Sequence, residues 1–370
     1  VTSNSYLQHL VLVSTSVGRL GSGSGGGVEL TLHSLISGLN ARGYQLTLVA
    51  PEGSQLTDAP TALKMLTEPG TEQPSWQHAD PESSVQIPRG AVLPRLWDCV
   101  FKIAQDTDAV INLGYDWLPL WLTPIAPVPI FHLVSMGAVA TVMREQIEQL
   151  ARWDQRRLAF HSQRQAADFR LPEAPVIVGN GFNLSNYTFR QHGCTGPLGW
   201  AGRIAPEKGL EDAAAAAAAI GEKLLVWGIV EDYSYAHRVE ESVPAGTISW
   251  QGFLSTAQLQ DQLGRCRALI NTPKWNEAYG NVVVEAMACG VPVIAYDRGG
   301  PGELIKNGVT GWLVPPDDIF ALAAAIKRVP EINRASCRHW VEYSASHEVF
   351  AQRVEDWLVR GLTSEVNVGN

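Results

Sequence analysis

Two glutamates with seven residues between them, Glu277 and Glu285, stand in the stretch NEAYGNVVVEAMACG. Gly280 makes a turn between them, and residues 281–289 read as a helix ending at Gly290. A helix start offers unpaired N–H groups and the positive end of the helix dipole, which suits a phosphate. Glu285, about one turn into that helix, could accept two hydrogen bonds from a ribose diol, and Glu277 could accept from the hydroxyls of a sugar beyond the phosphates. The competing reading is an amphipathic helix with one exposed glutamate. A second set lies in GRIAPEKG, residues 202–209, on a loop after an apolar strand. Arg203 supplies a planar fork and Lys208 a point charge, together a match for a diphosphate. Gly202 and Gly209 let the backbone turn and approach closely. Alone, the two cations could equally be solvated surface charges.

In combination the two sets are specific. GR-x4-KG is followed by P-x3-E-x2-G-x4-E-A, then by GVPVIA and by GG-x2-E-x-I-x2-G-x2-G. This order resembles the E-x7-E retaining glycosyltransferases, family four of the sugar transferases, along essentially the whole chain and most densely over residues 199–315. The resemblance implies an α/β GT-B fold, two facing Rossmann-like domains with a cleft between them, and a nucleotide sugar such as UDP-glucose held by the C-terminal domain. It assigns Arg203 and Lys208 to the diphosphate, Glu277 to the donor sugar and Glu285 to the ribose. Ala278, Tyr279, Gly280, Asn281 and Val282 would meet sugar and phosphate, and Phe253 and Leu254, after a strand at 247–250, would meet the base. The family's usual E-G-F-G is Glu-Ala-Tyr-Gly here, which changes the residue at Ala278. No cofactor besides the donor is implied. The leaving phosphate oxygen would take the acceptor proton; a route through a protein nucleophile stays open.

The loop GSGSGGG could pass for a dinucleotide fingerprint through Gly21, Gly23 and Gly26, but the acidic residue such a site needs is misplaced: Glu52 follows too late and beyond Pro51. By the resemblance, Gly26–Gly27 would instead let this loop approach the phosphate and donor sugar. His132, in PIFHLVS, reads on its own as a satisfied core histidine; the resemblance places it beside the donor sugar. Asp106 and Asp108 precede a strand and read as surface charge, so no metal is expected. Glu29 after the glycine loop and Asp116 between Tyr115 and Trp117 sit where βα loops of the first domain should carry an acceptor. A carboxylate with aromatic neighbours suits a flat heterocycle with an amino-amide edge, such as a pterin; a capping aspartate and core aromatics fit equally. The opening LVSTSVGRLGSGSGGGVELTL resembles the cyanobacterial UDP-glucose:tetrahydrobiopterin glucosyltransferases, which would make the acceptor tetrahydrobiopterin and the product an α-glucoside. A glycosyltransferase of the same fold with a sugar or lipid acceptor, a nucleotide-sugar epimerase, a phosphorylase of the same fold, a non-catalytic sugar-nucleotide sensor and an NAD- or FAD-dependent oxidoreductase are the rivals.

These residues need a scaffold, and the chain supplies one twice. Its 370 residues exceed what one core usually holds, and with 45% apolar and 18% charged residues the composition is globular. A net charge of −9 without a Lys/Arg-rich run argues against nucleic acid and anionic membranes. Five cysteines without a CxxC pair read as reduced thiols, and with no secretory pattern at the N-terminus a cytoplasmic enzyme is expected. Residues 118–143 lack formal charge, but four prolines interrupt them; a loop and a buried strand are expected rather than a membrane span. Strands are expected at 10–15, 45–50, 109–113, 130–133, 157–160 and 176–178, with a helix at 28–42. After a turn-rich boundary at 179–183 the alternation restarts, with strands at 198–202, 224–227, 268–271 and 293–295 and helices at 209–220 and 256–265. The expected domains are 1–183, for the acceptor, and 184–345, for the nucleotide sugar, with an amphipathic helix at the end that could pack back on the first. Nothing in the sequence sets an oligomeric state.

Overall fold

The protein is described here by a computed structural model covering residues 7–22, 26–56, 59–192 and 195–363. Gly23 and its two successors in the glycine loop, and Cys194, lie outside the described residues. The chain divides into two units: Val1–Phe182 with His347–Asn370, and Asn183–Ser346.

The first unit runs β1 (His9–Val13), α1 (Gly27–Ala41), β2 (Gln45–Pro51), β3 (Lys64–Glu68), α2 (Val92–Lys102), β4 (Ala109–Asn112), α3 (Trp117–Leu122), β5 (Ile130–Val134), α4 (Thr141–Asp154), β6 (Leu158–Phe160) and α5 (Gln163–Ala166). Its six strands form one parallel sheet in the order β3-β2-β1-β4-β5-β6. Side chains alternate faces along a strand, and β1 shows why its run is apolar throughout. Leu10 and Leu12 join the core beneath α1, while Val11 and Val13 join the core beneath α2.

The second unit runs β7 (Leu198–Ala201), α6 (Leu210–Ala219), β8 (Leu224–Trp227), α7 (Tyr233–Glu241), β9 (Ile248–Gly252), α8 (Thr256–Gly264), β10 (Ala268–Asn271), α9 (Asn281–Ala288), β11 (Val293–Tyr296), α10 (Gly299–Leu304), β12 (Gly311–Val314), α11 (Ile319–Lys327) and α12 (Arg334–Ser344). Its sheet is also parallel, in the order β12-β11-β10-β7-β8-β9. The alanine run belongs to α6: Ala213, Ala214, Ala216 and Ala217 are fully buried between the sheet and α11. The last helix, α13 (His347–Thr363), packs on the first unit, where the Trp357 indole donates to the Arg156 carbonyl at 2.8 Å and meets the Phe131 ring edge-on.

Two readings of the first unit are corrected. Residues 118–143 hold a helix, α3, before β5. Pro119 is its third residue, inside the first turn, where a missing N–H removes no helical bond. Residues 176–178 form no strand; Ile177 makes only an isolated bridge to Phe160. Among the described residues no helix is long and apolar enough to cross a membrane. Cys99, Cys266, Cys289 and Cys337 are buried free thiols.

Candidate active site

In the second sheet the strand order reverses between β10 and β7, so the loops leaving their carboxyl ends lie side by side, where open α/β sheets bind ligands. Two bonds fasten the loops together: the Thr272 hydroxyl donates to the Gly209 carbonyl at 2.7 Å, and the Lys274 N–H donates to the Glu207 carbonyl at 2.9 Å. Gly209 makes this approach possible. Its φ is +64°, and a Cβ there would lie 2.0 Å from the Thr272 oxygen.

The clamp brings Lys208 onto Glu277. The ammonium donates to Oε1 at 2.7 Å and sits 5.2 Å from the centre of the Trp275 ring. Both charged side chains are largely shielded, at 16% and 17% exposure. The other oxygen, Oε2 of Glu277, is buried and has no partner among the described residues, and neither has the buried indole N–H of Trp275 or Oδ1 of Asn271. Buried polar atoms without partners are uncommon, and three from the end of β10 and the loop after it mark a place for a polar ligand.

Beside them Gly280, at φ +100°, occupies the N-cap of α9 and has no side chain to cap the first turn. Asn281 and Val282, half-buried, begin the helix; Ala278 is half-buried and Tyr279 buried in the loop before it. Glu285 is buried on α9, where Oε1 accepts from the Tyr187 hydroxyl at 3.3 Å. Burial pushes its carboxyl up to about 7, and the Tyr187 bond opposes the shift only in part. It is therefore not the exposed glutamate of an amphipathic helix. Arg203 is not a solvated cation either: its guanidinium bonds Glu207 at 2.8 Å and also Glu231, from the loop after β8. Phe253 is exposed after β9 and Leu254 is half-buried.

In the first sheet the reversal falls between β1 and β4. There Asp116 is buried, accepting from the Ser16 hydroxyl at 2.5 Å and from Trp76. Burial raises its carboxyl to about 7. It holds the N-cap position of α3 without bonding that helix's amides, so it is not simply a cap. Ser16 and Trp76 carry no motif; only their convergence on Asp116 reveals them. Gly26, at φ +55°, precedes α1, and Gly27 is its first residue. Glu29 accepts from the Gly21 N–H at 2.9 Å, which ties the glycine loop to α1.

Two first-unit expectations are corrected. His132 lies within β5 and is buried, not open to a sugar. One ring nitrogen bonds Asn112 at 3.0 Å and the other Thr123 at 2.7 Å, and burial lowers its pKa to about 3. It is a neutral core histidine with no nitrogen left for a sugar. Tyr115 is likewise a core residue, its hydroxyl donating to the Gly137 carbonyl at 2.8 Å, so its ring offers no stacking face. Trp117 is half-buried and its ring stacks on Trp121 at 5.9 Å. Asp108 accepts from the Gln8 and His9 N–H groups at 2.7 and 2.8 Å, a structural use of that carboxylate.

Residues 198–347 match the family model "Glycosyl transferases group 1". Among curated proteins the chain is similar to glycogen synthase of Mycobacterium tuberculosis, 32% identical over 168 residues that make up 42% of this chain and 39% of that protein. The matched stretch thus spans well under half of that relative's length. Among solved structures it is similar to sucrose-phosphate synthase from Thermosynechococcus elongatus, with a TM-score of 0.73, 21% identity and coverage of 97% and 100% of the two chains. It is also similar to Anabaena HepE, solved in complex with UDP-glucose, at a TM-score of 0.67, 17% identity and coverage of 95% and 99%. With two parallel Rossmann-like sheets matched along nearly its whole length, the chain has the GT-B glycosyltransferase fold, and within it residues 198–347 resemble the group 1 glycosyl transferases.

Proposed function

We propose that the protein is a retaining, metal-independent glycosyltransferase that takes glucose from UDP-glucose. One observation carries this reading: the buried, unpartnered oxygen of Glu277, held against Lys208 beside the uncapped start of α9. The glycine-capped helix start and Lys208 suit the distal phosphate, Oε2 of Glu277 suits a sugar hydroxyl, and Glu285 suits a ribose diol. HepE, of the same fold, was solved with UDP-glucose. In the reaction the bond from the anomeric carbon to the phosphate oxygen breaks. The acceptor oxygen bonds that carbon on the same face, and its proton passes to the leaving phosphate. Lys208 and Arg203 stabilise the charge that develops there, the work a metal does elsewhere.

The acceptor is proposed to be a reduced pterin, tetrahydrobiopterin, glucosylated on its side chain. Asp116, with Ser16 and Trp76, supports this reading: a buried carboxylate is a partner for the two parallel N–H donors of a pterin edge. The test is to incubate the protein with UDP-glucose and tetrahydrobiopterin, or with a panel of sugars and phenols, and to look for a hexose mass increment with and without EDTA. Transfer that survives EDTA is expected. Loss on chelation with rescue by manganese would refute the metal-free reading, and transfer only to other acceptors would refute the pterin. UDP-glucose bound but never consumed would mean a sensor.

A further inference from the structure

The first unit carries a groove that neither the donor nor the acceptor reading uses. It lies between α3 and α4, has a volume of about 340 Å³, and is lined by Trp121, Ile125, Gln146, Gln149, Leu150 and Trp153 among others. Ile125 leads into the start of β5 and Trp153 into the start of β6. The groove therefore belongs to the amino ends of these strands, away from the carboxyl edge where Ser16 meets Asp116.

Its chemistry is narrow. Every lining residue is uncharged, so a phosphate, a nucleotide or an acidic glycan would find no counter-ion. Two indoles flank it, 48% and 51% exposed, and Ile125 is 68% exposed, a concentration of apolar surface that solvent does not favour. The Trp121 ring is held by its stack on Trp117. Two primary amides, of Gln146 and Gln149, complete the lining. Gln146 is the telling one: only 8% exposed, it has no side-chain hydrogen-bond partner among the described residues. Each amide presents donors and an acceptor together. Flat aromatic faces beside paired donors and acceptors, without charge, complement a pyranose, which has apolar C–H faces and a rim of hydroxyls. The volume is at the small end of ligand sites, about 300–1,000 Å³, and suits a short segment of glycan.

We propose that this groove binds a neutral oligosaccharide, with Trp121 and Trp153 stacking on sugar rings and Gln146 and Gln149 bonding their hydroxyls. The site stands on residues of α3, of the turn after it and of α4, and does not depend on the transferase reading. Maltotriose, cellotriose and chitotriose serve as probes, followed by saturation-transfer NMR and by quenching of tryptophan fluorescence. At least one should bind with a dissociation constant of about a millimolar. Trp121→Ala and Trp153→Ala should each weaken it at least about tenfold, Gln146→Leu by a comparable factor, and Lys208→Ala not at all. Both tryptophans are about half exposed, so their removal leaves the core intact; Gln149→Ala, on the exposed face of α4, gives the same readout should a tryptophan variant not fold. The proposal is overturned if none of the three sugars binds, or if binding persists undiminished in the groove variants. It is equally overturned if the tryptophans prove instead to mediate self-association or binding to phosphatidylcholine vesicles.

Discussion

Glu285 allows the donor site to be tested without any substrate. Burial raises its carboxyl from an ordinary 4.5 to about 7. The unfolded chain therefore gives up this proton near 4.5, whereas the folded protein keeps it until about 7. Stability from this group is intact below 4.5, falls as pH rises through that window, and is fully lost above 7. At about 1.4 kcal/mol per pKa unit the whole loss is about 3.5 kcal/mol. Close to 1 kcal/mol of it is already gone by about pH 5, which leaves about 2.5 kcal/mol between about pH 5 and about pH 8. Glu285→Gln keeps the volume and the acceptor for Tyr187 but cannot ionise. The variant should gain about 2.5 kcal/mol on wild type between those two pH values, read by calorimetry or urea unfolding. The difference between the two proteins isolates Glu285, because Asp116, also raised to about 7, titrates in both. UDP should bind the variant more weakly, since a neutral amide accepts poorly from a ribose diol. A stability difference that does not change with pH would refute the buried, protonated carboxyl and with it the shielded ribose site.

Three further outcomes follow from the same site. Lys208→Ala leaves Glu277 shielded without its counter-charge, and should cost about 1–3 kcal/mol in unfolding experiments and about 10²–10³ in transfer rate; normal kcat/KM would mean the diphosphate is held elsewhere. Glu231→Gln removes one of the two carboxylates that neutralise Arg203, so titration calorimetry should show UDP binding tightened by up to about 1 kcal/mol, the scale of a partly exposed ion pair; weaker binding would place Glu231 itself on the ligand. Gly209→Ala drives a Cβ to 2.0 Å from a carbonyl oxygen at a left-handed φ, and should lower stability by about 2 kcal/mol or more while disturbing the Lys208–Glu277 pair; an unchanged melting temperature would show that the two loops are not clamped together.

Much of the scaffold was legible along the chain. Continuous apolar runs such as Leu10–Val13 mark strands buried on both faces, and the glycines at 43 and 290 mark helix ends, because both signals act between near neighbours. The helix over Thr141–Asp154 was missed, and so was the one at Trp117–Leu122, whose proline reads as a breaker until its place in the first turn is known. At the site, the residue types and spacing of Arg203, Lys208, Glu277 and Glu285 pointed to a sugar nucleotide.

Pairing and burial were decided only by the tertiary structure, because they depend on strands far apart in the chain becoming neighbours. The reversal between β10 and β7 sets Lys208 on Glu277 and leaves Oε2 unpartnered. The loop after β8 brings Glu231 to Arg203, and Ser16 meets Asp116 from a hundred residues away. The same physics corrected His132: a histidine in an apolar strand is read as ligand or core from its type alone, and only the arrival of Asn112 and Thr123 at its two nitrogens, in a place water does not reach, makes it core. Local sequence set which groups were available and on which elements. The fold then set which of them lost water and which found a partner, and that is what fixes their charge and their chemistry.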